Sequence, residues 1–231
     1  MADGRLVNSC ENCIVSWKNF KNLTKSEVKL LNENRYEATF KPGEIILKQG
    51  SPASNAVFLS SGMGKIYIEG PDDKNFILGI ALPSQIIIGP GAHIHARHSY
   101  SVSALTVVRT CFISIDIINQ LLRQNAEFAS GMIEDLSAKS LEVHSKLVSL
   151  AHKKMPGRLA EAILYFSEEV YNTDIFDIIL SRQELGEMTN MAKESVVRIL
   201  KELELSGVIK SDNSKIQIID KEKLRLISER G

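Results

Sequence analysis

Apolar positions along the chain change their period twice. From Leu23 to Asn32 they recur as on a helix, and Thr24 with Glu27 three residues later supplies a capping-box start. From Tyr36 to about Ser114 they gather into short strand-like runs: Glu44–Leu47, Ala56–Leu59, Gly64–Ile68, Phe76–Ile80, Gln85–Ile88, Tyr100–Leu105 and Val107–Ile113. Turn clusters such as Lys41-Pro42-Gly43 and Gly70-Pro71-Asp72-Asp73 separate them. Strands spaced this evenly, with no helices between them, predict an antiparallel barrel or jelly roll.

From Asp116 the period is helical. Ile133, Leu136, Ser140, Val143, Leu147 and Leu150 alternate steps of three and four, with Ala129 one step upstream. Their flanks, Glu134, Asp135, Lys139, Glu142 and Lys146, are charged. A stripe this narrow predicts a coiled-coil seam between two copies of the chain. Packing of the helix on its own barrel is the alternative use. Lys153-Lys154-Met155-Pro156-Gly157 ends this helix and marks a hinge. A helix from about Gly157 to Tyr171, a turn at Asn172-Thr173-Asp174 and a short strand Ile175–Leu180 are expected next.

Residues 180–203 carry the sharpest local signal. Ser181 and Glu184 form a second capping box, Leu185 and Met188 would face inward, and Gly186 would admit a following helix at close range. Asn190 sits where the turn needs a left-handed backbone. The second helix would bury Val196, Ile199, Leu200 and Leu203 and present Lys193, Glu194, Val197, Arg198 and Lys201. Positions 194, 197, 198 and 201 share one face and would enter a groove together. There Arg198 can pair bidentately with guanine and Glu194 can accept from cytosine. Arg182, Gln183, Ser195 and Lys201 suit phosphate contacts that set the register. Gly207–Lys210, the Asp212-Asn213 turn and Lys215–Ile218 read as a two-stranded wing. A helical hairpin used only for packing would explain neither the charged face nor the wing.

Composition narrows the class without selecting nucleic acid. The chain is 44% apolar and 24% charged, with no low-complexity tract, as in ordinary globular proteins. No apolar run approaches the roughly 18 residues a membrane span needs, and Met1-Ala2-Asp3-Gly4-Arg5 lacks a secretory layout. A cytoplasmic protein with no membrane partner is therefore expected. Three cysteines are too few for a disulfide framework and fit a reducing compartment. Lys plus Arg equals Asp plus Glu at 28 each, and from Ala151 onward 13 basic residues face 14 acidic ones. DNA affinity must then come from a few placed side chains rather than from a basic domain.

The block at 180–218 resembles the DNA-binding domain of the cyclic-AMP receptor protein / fumarate-nitrate reductase regulator (CRP/FNR) family of bacterial transcription regulators. The similarity runs over about residues 20–220, and Gly157-Arg158-Leu159-Ala160 opens the DNA-binding part. It implies an α+β architecture in three parts. A β-roll sensor like a cyclic-nucleotide-binding domain would occupy residues 1–125, a dimerisation helix 126–152 and a winged helix-turn-helix 153–231. It also implies a homodimer on a palindromic operator, with recognition helices one DNA turn apart, contact with RNA polymerase, and no catalytic residues. Arg182, Lys193, Glu194 and Arg198 fall where family members contact DNA. Asn190 replaces a usual glycine, and Ala192 a usual Ser or Thr, which removes a phosphate-binding hydroxyl.

Cyclic-nucleotide binders of that family carry a Gly-Glu pair, an Arg-Ser pair some ten residues on, and hydroxyls on the dimer helix. The matching stretch here keeps Gly89, Gly91 and Ser99, but Pro90 stands in place of the glutamate. His98 falls at the arginine position with Arg97 one residue earlier, and Val143 and His144 occupy the hydroxyl positions. A buried phosphate calls for a permanent forked cation, whereas histidine is mostly neutral at pH 7. Cyclic AMP is therefore not expected. The effector stays open, a different small anion near Gly89, Gly91, Arg97, His98 and Ser99 being one reading.

Redox or gas sensing is another. Cys10-x-x-Cys13 and Cys111 are candidate iron–sulfur ligands, with Asn19 about where a fourth cysteine would stand. His93, His95 or His98 are candidate haem ligands. His93-x-His95 on a β-roll also resembles the metal motif of cupin enzymes, but no Asp or Glu lies between Asp73 and Asp116 to complete such a site. No metal and no enzymatic activity are expected, and Trp17 and Met63 are read as packing residues.

Overall fold

The structure, a computed structural model, describes residues 17–71 and 74–231. The Cys10/Cys13 pair lies outside them. Contacts divide the chain into two compact units: residues up to Ile68 with Ile80–Lys139, and Glu69–Gly79 with Ser140–Gly231.

A single 3-10 turn, Lys18–Asn22, leads into α1, Lys25–Glu33. The Thr24–Glu27 capping box forms in both directions, as expected. Eight strands follow among the described residues: β1 Arg35–Phe40, β2 Ile45–Leu47, β3 Asn55–Ser61, β4 Gly64–Glu69, β5 Asn75–Ala81, β6 Ile86–Ile87, β7 Ser101–Ala104 and β8 Val108–Ser114. They form two four-stranded sheets, ordered β1-β8-β3-β6 and β2-β7-β4-β5. Each of the seven expected runs is a strand, with ends shifted. β1 is an addition; its Tyr36, Ala38 and Phe40 share one face, and Tyr36, though exposed, stacks on Phe112 of β8 at 4.8 Å.

β3 shows why the run at 56–59 reads as continuously apolar. Val57 and Leu59 join Ile46, Leu47, Val102 and Phe112 in one core cluster. Ala56 and Phe58 join Trp17, Leu31, Ile118, Leu121 and Phe128 in another. A strand buried on both faces loses its period-two signature. The helices that cover the second cluster are α1, α3 (Ile115–Gln124) and the start of α4 (Ala126–His152). Trp17 meets Phe128 edge-on at 5.5 Å and donates Nε1–H to Asp135 at 2.5 Å. Asn19, also buried, donates to the same carboxylate at 3.4 Å.

The second unit contains α5 Met155–Tyr165, a π-helical turn Phe166–Val170, β9 Ile175–Asp177, α6 Arg182–Thr189, α7 Lys193–Leu205, β10 Ile209–Asp212, β11 Lys215–Ile218 and α8 Lys221–Arg230. Two expectations change. The strand foreseen at Ile175–Leu180 stops at Asp177, and it pairs with β11, so the wing is a three-stranded sheet ordered β10-β11-β9. Stacking of Tyr171 on Phe176 at 5.2 Å and on Phe166 at 6.1 Å anchors β9 there. α8, capped by Asp220 accepting from the Lys223 amide at 2.9 Å, is an additional element.

Candidate nucleic-acid interface

α6 starts at Ser181, whose Oγ accepts the Glu184 amide at 3.2 Å while the Ser181 amide donates to Glu184 Oε2 at 2.9 Å. Leu185 and Met188 are buried as expected. A Cβ at Gly186 would stand 2.5 Å from the Met191 carbonyl oxygen, so only glycine lets the turn close this tightly. The Met191 amide donates to the Gly186 carbonyl at 3.0 Å. Asn190 adopts φ 51° and ψ 57°, the left-handed conformation the turn needs.

α7 begins after Ala192, which offers no side-chain cap. It buries Val196, Ile199, Leu200 and Leu203 and leaves Lys193, Glu194, Val197, Arg198 and Lys201 exposed, with Ser195 half-buried. The buried and exposed faces of α7 are thus those read from the sequence. Two ion pairs cross it: Arg198 Nη1 to Glu202 Oε1 at 2.6 Å and Lys201 Nζ to Glu204 Oε2 at 2.8 Å. Arg182 is half-buried, and its Nη2–H donates to the Asn213 carbonyl oxygen at the tip of the wing. Desolvation lowers its pKa from the ordinary arginine value. The sequence points to a phosphate contact for Arg182; a link between α6 and a turn 31 residues away has no periodic signature. Gln183 is exposed beside it.

On α4 the expected seam is open. Ile133, Leu136, Val143 and Leu147 are exposed, Ile133 at 64% and Leu147 at 58%. Ser140 is exposed and Leu150 half-buried.

The residues read as an effector cassette come only partly together. Gly89 and Gly91 meet Ser99: a Cβ at Gly89 would lie 3.1 Å from Ser99 Oγ, and one at Gly91 3.5 Å from Ser99 Cβ. The Tyr100 ring covers Gly89, with a Cβ there only 3.4 Å from it, and burial pushes the phenol pKa up. Arg97 is exposed and donates Nη1–H to the Gly50 carbonyl at 2.6 Å. His98 is buried, and burial holds its pKa below the usual imidazole range. Val143 and His144 are exposed on α4 in the second unit.

His93 and His95 are exposed, in and just after α2 (Gly91–Ile94). Among the described residues no three His, Cys, Asp or Glu side chains gather as a metal site. Cys111, half-buried on β8, accepts from Arg35 Nη1 at 3.7 Å.

Residues 37–125 match the cyclic nucleotide-binding domain family, and residues 157–227 match the Crp-like helix-turn-helix domain family. The chain is 22% identical over 184 residues to the transcriptional activator protein Anr of Pseudomonas aeruginosa, covering 78% of this chain and 75% of that one. It is 21% identical over 215 residues to a CRP-like cAMP-activated global transcriptional regulator of Mycobacterium tuberculosis, covering 89% and 93%. In fold it is similar to FixK2 from Bradyrhizobium japonicum, with TM-score 0.76, 16% identity, and 84% and 96% of the two chains covered.

Proposed function

The chain belongs to the CRP/FNR family of transcription regulators, and from that premise we propose that it binds a palindromic DNA site as a homodimer, through α7, under control of the β-roll. The observation that carries this reading is the division of α7 into a buried face and a solvent face that holds Glu194, Val197, Arg198 and Lys201 together. In this reading Arg198 takes guanine O6 and N7, Glu194 accepts from cytosine, and Val197 offers an apolar contact. Lys193, Ser195, Lys201, Gln183 and the outer edge of Arg182 hold phosphates.

The dimer is supported by the open stripe on α4. Burying an exposed Ile, Leu or Val side chain gains roughly 1.5–3 kcal/mol. RNA polymerase is the protein partner this role calls for. No helix among the described residues is long and apolar enough to cross a membrane, and we place the protein in the cytoplasm, acting by binding rather than catalysis.

Cyclic AMP is not the effector in this reading. Support for this comes from Pro90 in place of the glutamate, the buried His98 at the arginine position, and the bond of the neighbouring Arg97 guanidinium to the Gly50 carbonyl. The test is titration of the purified protein with DNA from upstream of its own gene, at low and rising salt. Tight, salt-sensitive binding that Arg198→Ala weakens is expected. Absence of binding with or without candidate effectors overturns the proposal.

A further inference from the structure

Two residues, Lys153 and Lys154, separate the end of α4 at His152 from the start of α5 at Met155. This short link is pinned from several sides. The Lys153 amide donates to the Ser149 carbonyl at 2.9 Å, and its ammonium donates to Glu161 Oε1 at 2.8 Å and Ser228 Oγ at 3.2 Å. The Lys154 amide donates to the Gly231 carbonyl at 2.8 Å. Residues 140–152 of α4, which carry Val143, Leu147 and Leu150 of the stripe, belong to the same compact unit as α5 to α8.

Arg158, in the first turns of α5, reaches from this link to the turn between α6 and α7. Its Nη1–H donates to the Lys153 carbonyl at 3.4 Å and its Nη2–H to the Asn190 carbonyl at 3.2 Å. Both partners are backbone carbonyls rather than a carboxylate. A planar, rigid fork can donate in two directions at once, whereas an ammonium is a point donor on a flexible stem. The bridge is held although Nε–H is buried without a partner. That costs stability, which points to a role other than holding the fold together.

The far end of the bridge bears on α7. Asn190 is the left-handed residue of the turn, and α7 starts three residues later at Lys193. The intervening Met191 is itself tied back to the Gly186 carbonyl. Whatever fixes the Asn190 peptide therefore fixes the start of α7. Two recognition helices on one palindrome must sit about one DNA turn apart, roughly 34–36 Å. Each base pair inserted between the half-sites moves them about 3.4 Å further apart. A tilt of α7 against α4 would thus appear as a change in the half-site spacing the dimer accepts.

We propose that Arg158 is a positioning residue for DNA binding: by bridging the Lys153 and Asn190 carbonyls it sets the orientation of α7 against the C-terminal part of α4, and so the half-site spacing. Arg158 touches neither base nor phosphate in this role. The proposal rests on the reading of the chain as a homodimeric DNA-binding regulator, so one measurement is made on the protein without DNA.

The test uses the full-length protein with Arg158→Gln and Arg158→Lys, and a palindrome selected by the wild type from random duplex DNA. Versions with one or two base pairs added or removed at the centre, and an isolated half-site, complete the series. Arg158→Gln should bind the best spacing about tenfold more weakly and discriminate between spacings about tenfold less, while half-site affinity stays within about twofold. Arg158→Lys keeps the charge without the fork and should behave like Arg158→Gln. Without DNA, the Met191 amide should exchange its hydrogen faster in both variants. Misfolding would weaken binding to every duplex equally and leave the spacing profile unchanged. An unchanged spacing profile or unchanged exchange at Met191 overturns the proposal. So does a uniform loss on all duplexes in Arg158→Gln that Arg158→Lys restores, which would assign the charge to phosphates. A wild type that selects no DNA overturns the regulator reading and this role with it; faster exchange would then mark the bridge as a contact of the fold alone.

Discussion

Arg198 donates from Nη1 to Glu202 Oε1 at 2.6 Å, one turn along the solvent face of α7. Both partners are more than half exposed, where such an i,i+4 pair is worth only about 0.3–0.5 kcal/mol. The pair therefore orients the guanidinium in the free protein, and the guanine contact proposed for Arg198 would need to displace only this weak bond.

Arg198→Ala should cost about 1–3 kcal/mol at one base position and relax specificity there. Glu202→Gln should act in the opposite direction, raising affinity on all sequences by removing a negative charge beside the groove. Competition binding with single-base variants of the operator distinguishes the two. Loss of affinity in Glu202→Gln would mean that the pair is needed to present Arg198.

Leu147→Glu places a charge in the exposed stripe of α4 and should convert the dimer to single chains, read as a halved mass in sedimentation. Ser140→Leu, which fills the polar gap in the same stripe, should tighten self-association. An unchanged mass in Leu147→Glu would refute the seam.

At Asn190 the backbone is left-handed, φ 51°, and an ordinary side chain there costs about 1–2 kcal/mol. Asn190→Ala should destabilise the second unit by about 1 kcal/mol, and Asn190→Gly should be close to neutral. Thermal unfolding of the two variants checks this. The left-handed residue, both α6 caps and every buried position of α7 were legible in the sequence because each depends on neighbours within a turn or two. The pairing of β9 with β11, the link from Arg182 to Asn213 and the burial of His98 depend on contacts 31 to 47 residues apart or more, and no local period announces them. The roll sits between these cases: its strands were legible by their spacing, but β3 hid its two faces behind a continuous apolar run.

Lys146 offers a pH test. Its Nζ donates to the Ile77 carbonyl at 3.3 Å and lies 5.4 Å from the centre of the Phe76 ring. Burial brings its pKa from the ordinary 10.5 down to about 8, with Glu161 opposing the shift. Between those values the unfolded chain holds the proton that the folded protein has released, so stability rises with pH across the window and is lowest below it. Lys146→Met should flatten that rise and stabilise the protein at pH 7 by about 1–3 kcal/mol. Denaturant titrations between neutral and alkaline pH measure both effects, and an identical slope in the variant would assign the rise to another group.

Consecutive residues of β3 belong to different clusters, Ala56 and Phe58 to one and Val57 and Leu59 to the other, and β8 repeats this with Phe112 and Ile113. Neither cluster can disperse while the other persists, because they share the same two stretches of backbone. The roll should therefore melt in one cooperative step. A change in packing at Phe112 therefore reaches the layer beneath α3 through a single peptide bond, with no loop needing to move.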